Sequence, residues 1–138
     1  PQYRSLSHRS LAARARAFAI TGDRVRAEEV LVRLFEPESE AQVIALLTRA
    51  FLARSDFNWD LSNSYCERAL ILAEQINHIQ LRADARFGLA IGLVECGRHF
   101  AGLDIFKMIR RDKKVSSKKE GGNQLYRLVQ DEPEPSSN

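Results

Sequence analysis

Residues 42–58, QVIALLTRAFLARSDFN, decide the fold. Val43, Ile44, Leu46, Leu47, Ala50, Phe51 and Leu52 recur at the three and four spacing of an amphipathic helix and leave Gln42, Thr48, Arg49 and Arg54 to face water. Ser55, Asp56, Phe57 and Asn58 then interrupt the pattern as a polar turn.

The same alternation of apolar stripe and turn extends in both directions. Upstream, Leu11, Ala15, Phe18 and Ala19 form one stripe, broken at Thr21, Gly22 and Asp23. Val25, Val30, Leu31, Leu34 and Phe35 form a second, closed by Glu36, Pro37, Glu38 and Ser39, with Ser39 a candidate N-cap for the next helix. Downstream, Asp60 or Ser62 is suited to start a fourth helix carrying Tyr65, Cys66, Ala69, Leu70, Leu72, Ala73 and Ile76. A fifth begins near Ile79, carries Leu81, Ala85, Leu89, Ala90, Leu93 and Val94, and stops at Cys96 and Gly97; a sixth spans about His99 to Arg111. The expected class is all-α.

Residues 1–112 therefore read as one helical domain of three hairpins, about 3–36, 39–77 and 79–111. Residues 113–138 read as a basic linker, a short apolar segment (Leu125, Tyr126, Leu128, Val129) and an acidic tail too polar for a core. With 138 residues, 44% hydrophobic and 28% charged, the chain has the composition of an ordinary globular domain. Opening on Pro1 rather than Met, it reads as part of a longer protein. Arg4, Arg9, Arg14 and Arg16, with several Ser and no acid in residues 1–20, also fit an organelle transit peptide, but the first hairpin needs this stretch as its first helix.

The net charge of +3 is too small to argue for nucleic acid by itself, but the charge is blocky. Residues 1–34 hold seven Arg against three acids, residues 35–85 four against eight, and residues 86–119 nine basic groups against three. Cys66 and Cys96 lack CxxC spacing, which argues against a zinc site or disulfide framework. No apolar run reaches the ~18 residues of a membrane span, and no Asn-x-Ser/Thr acceptor occurs. An intracellular location, cytoplasmic or nuclear, is expected.

Aligned on their turns, the hairpins share a layout. The first gives Leu11, Arg14, Ala15 and Phe18, then Ala27 and Leu31; the second Ile44, Leu47, Thr48 and Phe51, then Ser62, Cys66 and Ala69; the third Leu89, Ala90 and Leu93, then Gly102 and Phe106. Small residues at Ala15, Ala27, Ala69, Ala90 and Gly102 let helices approach closely, while Phe18, Phe51 and Phe106 fill the adjoining gaps. In period and in this order of large, small and aromatic positions, residues 5–111 resemble the tetratricopeptide repeat family. Arg86 departs from the pattern, standing where that family carries a large aromatic.

The resemblance implies an α-α superhelix whose first helices line a concave groove, and a non-catalytic scaffold or adaptor that binds a protein or peptide, without cofactor or metal. The implied groove residues are Arg9, Ala12, Arg16, Arg49, Leu52, Phe87, Ile91 and Val94. Three Arg among apolar side chains suit an acidic or C-terminal carboxylate-bearing peptide. The Lys and Asn clamp with which some members grip chaperone tails is absent, since Ala12 and Arg16 stand in its place.

Secondary surfaces are Trp59, which with Phe57 is expected to cap the core, and Lys113, Lys114, Lys118 and Lys119, suited to unspecific attraction to nucleic acid. A regulatory or sensor domain of a nucleic-acid-binding protein is thus an alternative. Self-association through Phe100, Ile105 and Met108 of the last helix is another, giving a homo-oligomer. His8, His78 and His99 are scattered and read as capping or exposed residues. Cys66 reads as a core residue, and Gly88, Gly92, Gly97 and Gly102 as packing or stop positions rather than a phosphate loop.

Overall fold

A computed structural model describes the backbone of residues 2–34 and 39–119 and the side chains of residues 8–34 and 39–112. Phe35, Pro37, segment 123–130 and the side chains of Lys113, Lys114, Lys118 and Lys119, all named above, lie outside these. Among the described residues the chain is wholly helical: α1 (Gln2–Ile20), α2 (Arg24–Arg33), α3 (Ser39–Ser55), α4 (Trp59–Gln75), α5 (Ile79–Glu95) and α6 (His99–Lys119). From α3 onward the helices open twenty residues apart, and α3, α4 and α5 are each 17 residues long.

This regularity comes from one turn used four times. Gly22, Phe57, Asn77 and Gly97 adopt φ of 90°, 59°, 57° and 92°. At each, the following N–H reaches back five residues: Asp23 to the Phe18 carbonyl (2.8 Å), Asn58 to Ala53 (2.9 Å), His78 to Ala73 (3.0 Å) and Arg98 to Leu93 (2.7 Å). The left-handed residue's own N–H donates three back, completing the Schellman cap that satisfies carbonyls a helix end leaves free. In the first three turns the next residue also caps the helix that follows. Asp23 accepts from the Arg26 N–H, Asn58 Oδ1 from the Leu61 N–H, and His78 Nδ1 from the Leu81 N–H. One left-handed residue followed by one capping residue thus makes the shortest connection that serves both helix ends.

Consecutive helices pack as the hairpins α1·α2, α3·α4 and α5·α6, and α4 packs on α5. The odd-numbered helices also pack side by side, α1 on α3 and α3 on α5, which makes them one layer. Ala15, Ala27, Ala69 and Ala90 are fully buried at the crossings, and Gly102 is buried. At Gly102 a Cβ would lie 2.9 Å from the Ala90 carbonyl oxygen, so α6 touches the α5 backbone directly.

Polar bonds fix the hairpins to one another. Arg24 at the start of α2 donates from two guanidinium nitrogens to Asp56 in the α3–α4 turn, each at 2.5 Å. Asp112 of α6 is held by Arg86 and, at 3.2 Å, by Arg82 of α5; Arg86 also reaches Glu74 of α4 at 3.7 Å. Arg86, the departure from the repeat pattern, is therefore the tie that joins three helices.

The structure corrects several expectations. Asn58 starts α4, while Ser62 is buried within it. Thr48, expected to face water, is 1% exposed and donates to the Ile44 carbonyl at 2.8 Å. Val25, expected in the α2 stripe, is exposed. Phe57 and Trp59 stand edge to face at 6.2 Å, yet Phe57 is 78% exposed and caps no core. Helix α6 continues to Lys119, past the expected end at Arg111. Lys is a good helix former, and Lys113, Lys114, Lys118 and Lys119 put positive charge where the helix dipole favours it.

Candidate functional site

The layer of α1, α3 and α5 carries a groove of about 260 Å³. Helix α1 contributes Arg16, Ala19 and Ile20; α3 contributes Leu47, Thr48, Phe51 and Arg54; α4 contributes Cys66; α5 contributes Asp84, Phe87 and Gly88. Arg16 Nη2 lies 3.5 Å from Asp84 Oδ2, so α1 and α5 are joined across α3. Packed helices stand about 8–10 Å apart, and two such steps exceed the reach of an Arg and an Asp unless the layer curls over α3. That pair therefore marks the mouth of a concave surface.

The floor is built by absence of bulk. A Cβ on Gly88 would lie 2.9 Å from Cys66 Sγ and 3.4 Å from Arg54 Nη1, so only glycine leaves room for both. Arg54 extends from the last turn of α3 with its guanidinium carbon 5.7 Å from the centroid of the Phe51 ring. Its buried Nη1 meets no oxygen acceptor, and the neighbouring Cys66 thiol is the hydrogen-bonding group beside it. Cys66 is fully buried, and burial pushes its thiol up to about 11, although Arg54 beside it favours the thiolate. Such a thiol stays protonated and unreactive at neutral pH.

The residues expected in the groove divide into three groups. Arg16 and Phe87 line it; Phe87 is exposed and held edge to face against Phe106 of α6 at 5.9 Å. Arg9, Arg49, Ile91 and Val94 lie outside it. Arg9 pairs with Glu40 at 3.6 Å, Arg49 is exposed, Ile91 is half-buried, and Val94 packs over Gly102 on α6. Leu52 and Ala12 are corrections: both are buried, and Leu52 belongs to the core shared by α1, α2 and α3.

The sequence reading missed Arg54, Phe51, Leu47, Asp84 and Gly88 as lining residues. Gly88, a glycine inside a strongly helical run, was the available signal, since such a position is costly unless close approach requires it.

Elsewhere, Phe100 is 85% exposed, with Leu103 and Met108 also exposed along α6, while Ile105 is half-buried. Among the described residues no cluster of His, Cys, Asp and Glu is arranged to hold a metal ion, and no helix is long and apolar enough to cross a membrane. No family model, curated protein or solved structure matches the chain.

Proposed function

We propose that the chain is a non-catalytic interaction module of tetratricopeptide type, a scaffold or adaptor segment that holds a peptide in the groove of α1, α3 and α5. The observation that carries this reading is the groove itself, which exposed Phe87 and partly buried Phe51 line together with the cations Arg16 and Arg54. Apolar walls with a few placed charges are the make-up of a recognition site for an extended or helical peptide. The raised thiol of Cys66, the groove's one nucleophilic side chain apart from the buried and internally bonded Thr48, supports binding rather than chemistry.

The test is selection of random displayed peptides, with free and with blocked C-termini, on the purified chain. Enriched peptides are then measured against an Arg16→Ala, Phe87→Ala double variant of unchanged helicity. Peptides that lose binding to the variant support the reading; peptides indifferent to it, or no enrichment at all, refute it.

The exposed apolar row of α6 favours a second reading, self-association. Sedimentation equilibrium of the chain and of a Phe100→Asp variant decides it: concentration-dependent mass that the substitution abolishes supports self-association, and a monomer at all concentrations removes it.

A further inference from the structure

Helix α6 packs on α5 along one side. Gly102, Ile105 and Asp112 lie on that side: Gly102 meets the Ala90 backbone, Ile105 packs against the core that holds Leu89 and Leu93, and Asp112 is held by Arg82 and Arg86. The far side carries Phe100, Asp104, Lys107 and Arg111, spaced by four, three and four residues, with Leu103 and Met108 on its flanks. All six are exposed, Phe100 to 85%. Lys114 and Lys118 continue the line by the same spacing.

From Lys107 to Lys118 this line sets four cations along about 16 Å of helix, with Asp104 as its one carboxylate. Among the described residues neither Lys107 nor Arg111 is in an ion pair. Such a line attracts a surface rich in phosphate, and the apolar side chains on the same face decide which one.

Nucleic acid gives those side chains little to hold. Single strands are gripped by aromatic rings set among the charges, whereas Leu103 and Met108 are aliphatic and no ring stands among Lys107, Arg111, Lys114 and Lys118. The boundary of a bilayer accepts both kinds at once. Apolar side chains sink about 5–10 Å into the headgroup region while Lys and Arg stems extend to the anionic headgroups. Among the described residues no helix is long and apolar enough to cross a membrane, so the contact is with its surface.

We propose that the outer face of α6 docks on an anionic lipid bilayer, with Phe100, Leu103 and Met108 at the headgroup boundary and Lys107, Arg111, Lys114 and Lys118 on the headgroups. This surface is separate from the peptide groove, none of whose lining residues lies on α6.

The experiment is cosedimentation of the chain with vesicles of phosphatidylcholine, with and without phosphatidylserine. Expected are binding only where phosphatidylserine is present and its loss at high salt. A Lys107→Glu, Arg111→Glu variant should bind about tenfold or more weakly. Phe100→Ser should also weaken binding, while Val32→Ser, at a similarly exposed apolar position on α2, should not. Equal binding to the two vesicle types, or none, overturns the proposal. Binding indifferent to the substitutions on α6, or weakened as much by Val32→Ser, also overturns it, since that is the attraction of a basic chain for any anionic surface. A duplex oligonucleotide or a second copy bound through this face, with the vesicles left alone, overturns it in favour of that partner. The comparison of vesicle types uses only the wild-type chain, so a misfolded variant does not shelter the proposal.

Discussion

Gly102→Ala adds one methyl group at the closest approach between α5 and α6. Its Cβ would lie 2.6 Å from Val94 Cγ2 and 2.9 Å from the Ala90 carbonyl oxygen. Val94 can turn aside, but the carbonyl belongs to the α5 backbone, so α6 must move away. Overpacking costs about 1–3 kcal/mol, and because the atom met here is backbone the cost falls in the upper part of that range, about 2–3 kcal/mol; the better helix propensity of Ala over Gly returns about 1 kcal/mol. A net loss of roughly 1–2 kcal/mol remains, which for a chain of this length is a fall in Tm of roughly 3–8 °C. Displacement of α6 also stretches the contacts of Asp112 with Arg82 and Arg86, so amide exchange along α6 accelerates more than along α3. The assay is thermal unfolding by circular dichroism, with Lys107→Ala on the exposed side of α6 as the control that should be neutral. A Tm for Gly102→Ala equal to or above that of the wild type refutes the close packing of the third hairpin.

Ala27→Leu and Ala90→Leu, each at a fully buried crossing, are expected to cost about 1–3 kcal/mol in urea unfolding, and unchanged midpoints for both count against the hairpin packing. Asn77→Gly should stabilise the chain by up to about 1 kcal/mol, because φ of 57° costs glycine nothing while Asn, though it tolerates this region better than most residues, still carries a Cβ there; a lower midpoint contradicts the shared turn. Cys66, whose thiol rises from 9.0 to about 11 on burial, keeps its proton longer in the folded state, so stability is full below pH 9 and is lost as pH rises toward 11. Cys66→Ala should flatten that decline, and a thiol reagent at neutral pH should label exposed Cys96 well before Cys66; equal labelling rates contradict the burial.

Which face of a helix was legible depended on how many neighbours it has. Helix α5 could be read because Leu81, Ala85, Leu89, Ala90 and Leu93 form one buried face. Helix α3 packs against α1, α4 and α5, so apolar residues surround most of its axis and periodicity no longer separates core from groove. That is why Leu52 was expected outside and Thr48 and Arg54 in water. The turns at Gly22 and Gly97 were visible because glycine marks a left-handed position. Phe57 and Asn77 adopt the same conformation without that mark, so nothing in the sequence set the connection between Ile76 and Ile79 beside the other turns. The groove needed more than sequence, since Arg16, Arg54 and Asp84 come from three helices and only their packing brings the charges to one groove.

The central claim is that the layer of α1, α3 and α5 is the working surface. Titration of an enriched peptide into isotope-labelled chain, followed by amide NMR, tests it most directly. Shifts confined to the segments around Arg16, Leu47 to Arg54 and Asp84 to Gly88 are the predicted result; shifts along α2 or the outer side of α6, with these segments silent, contradict it.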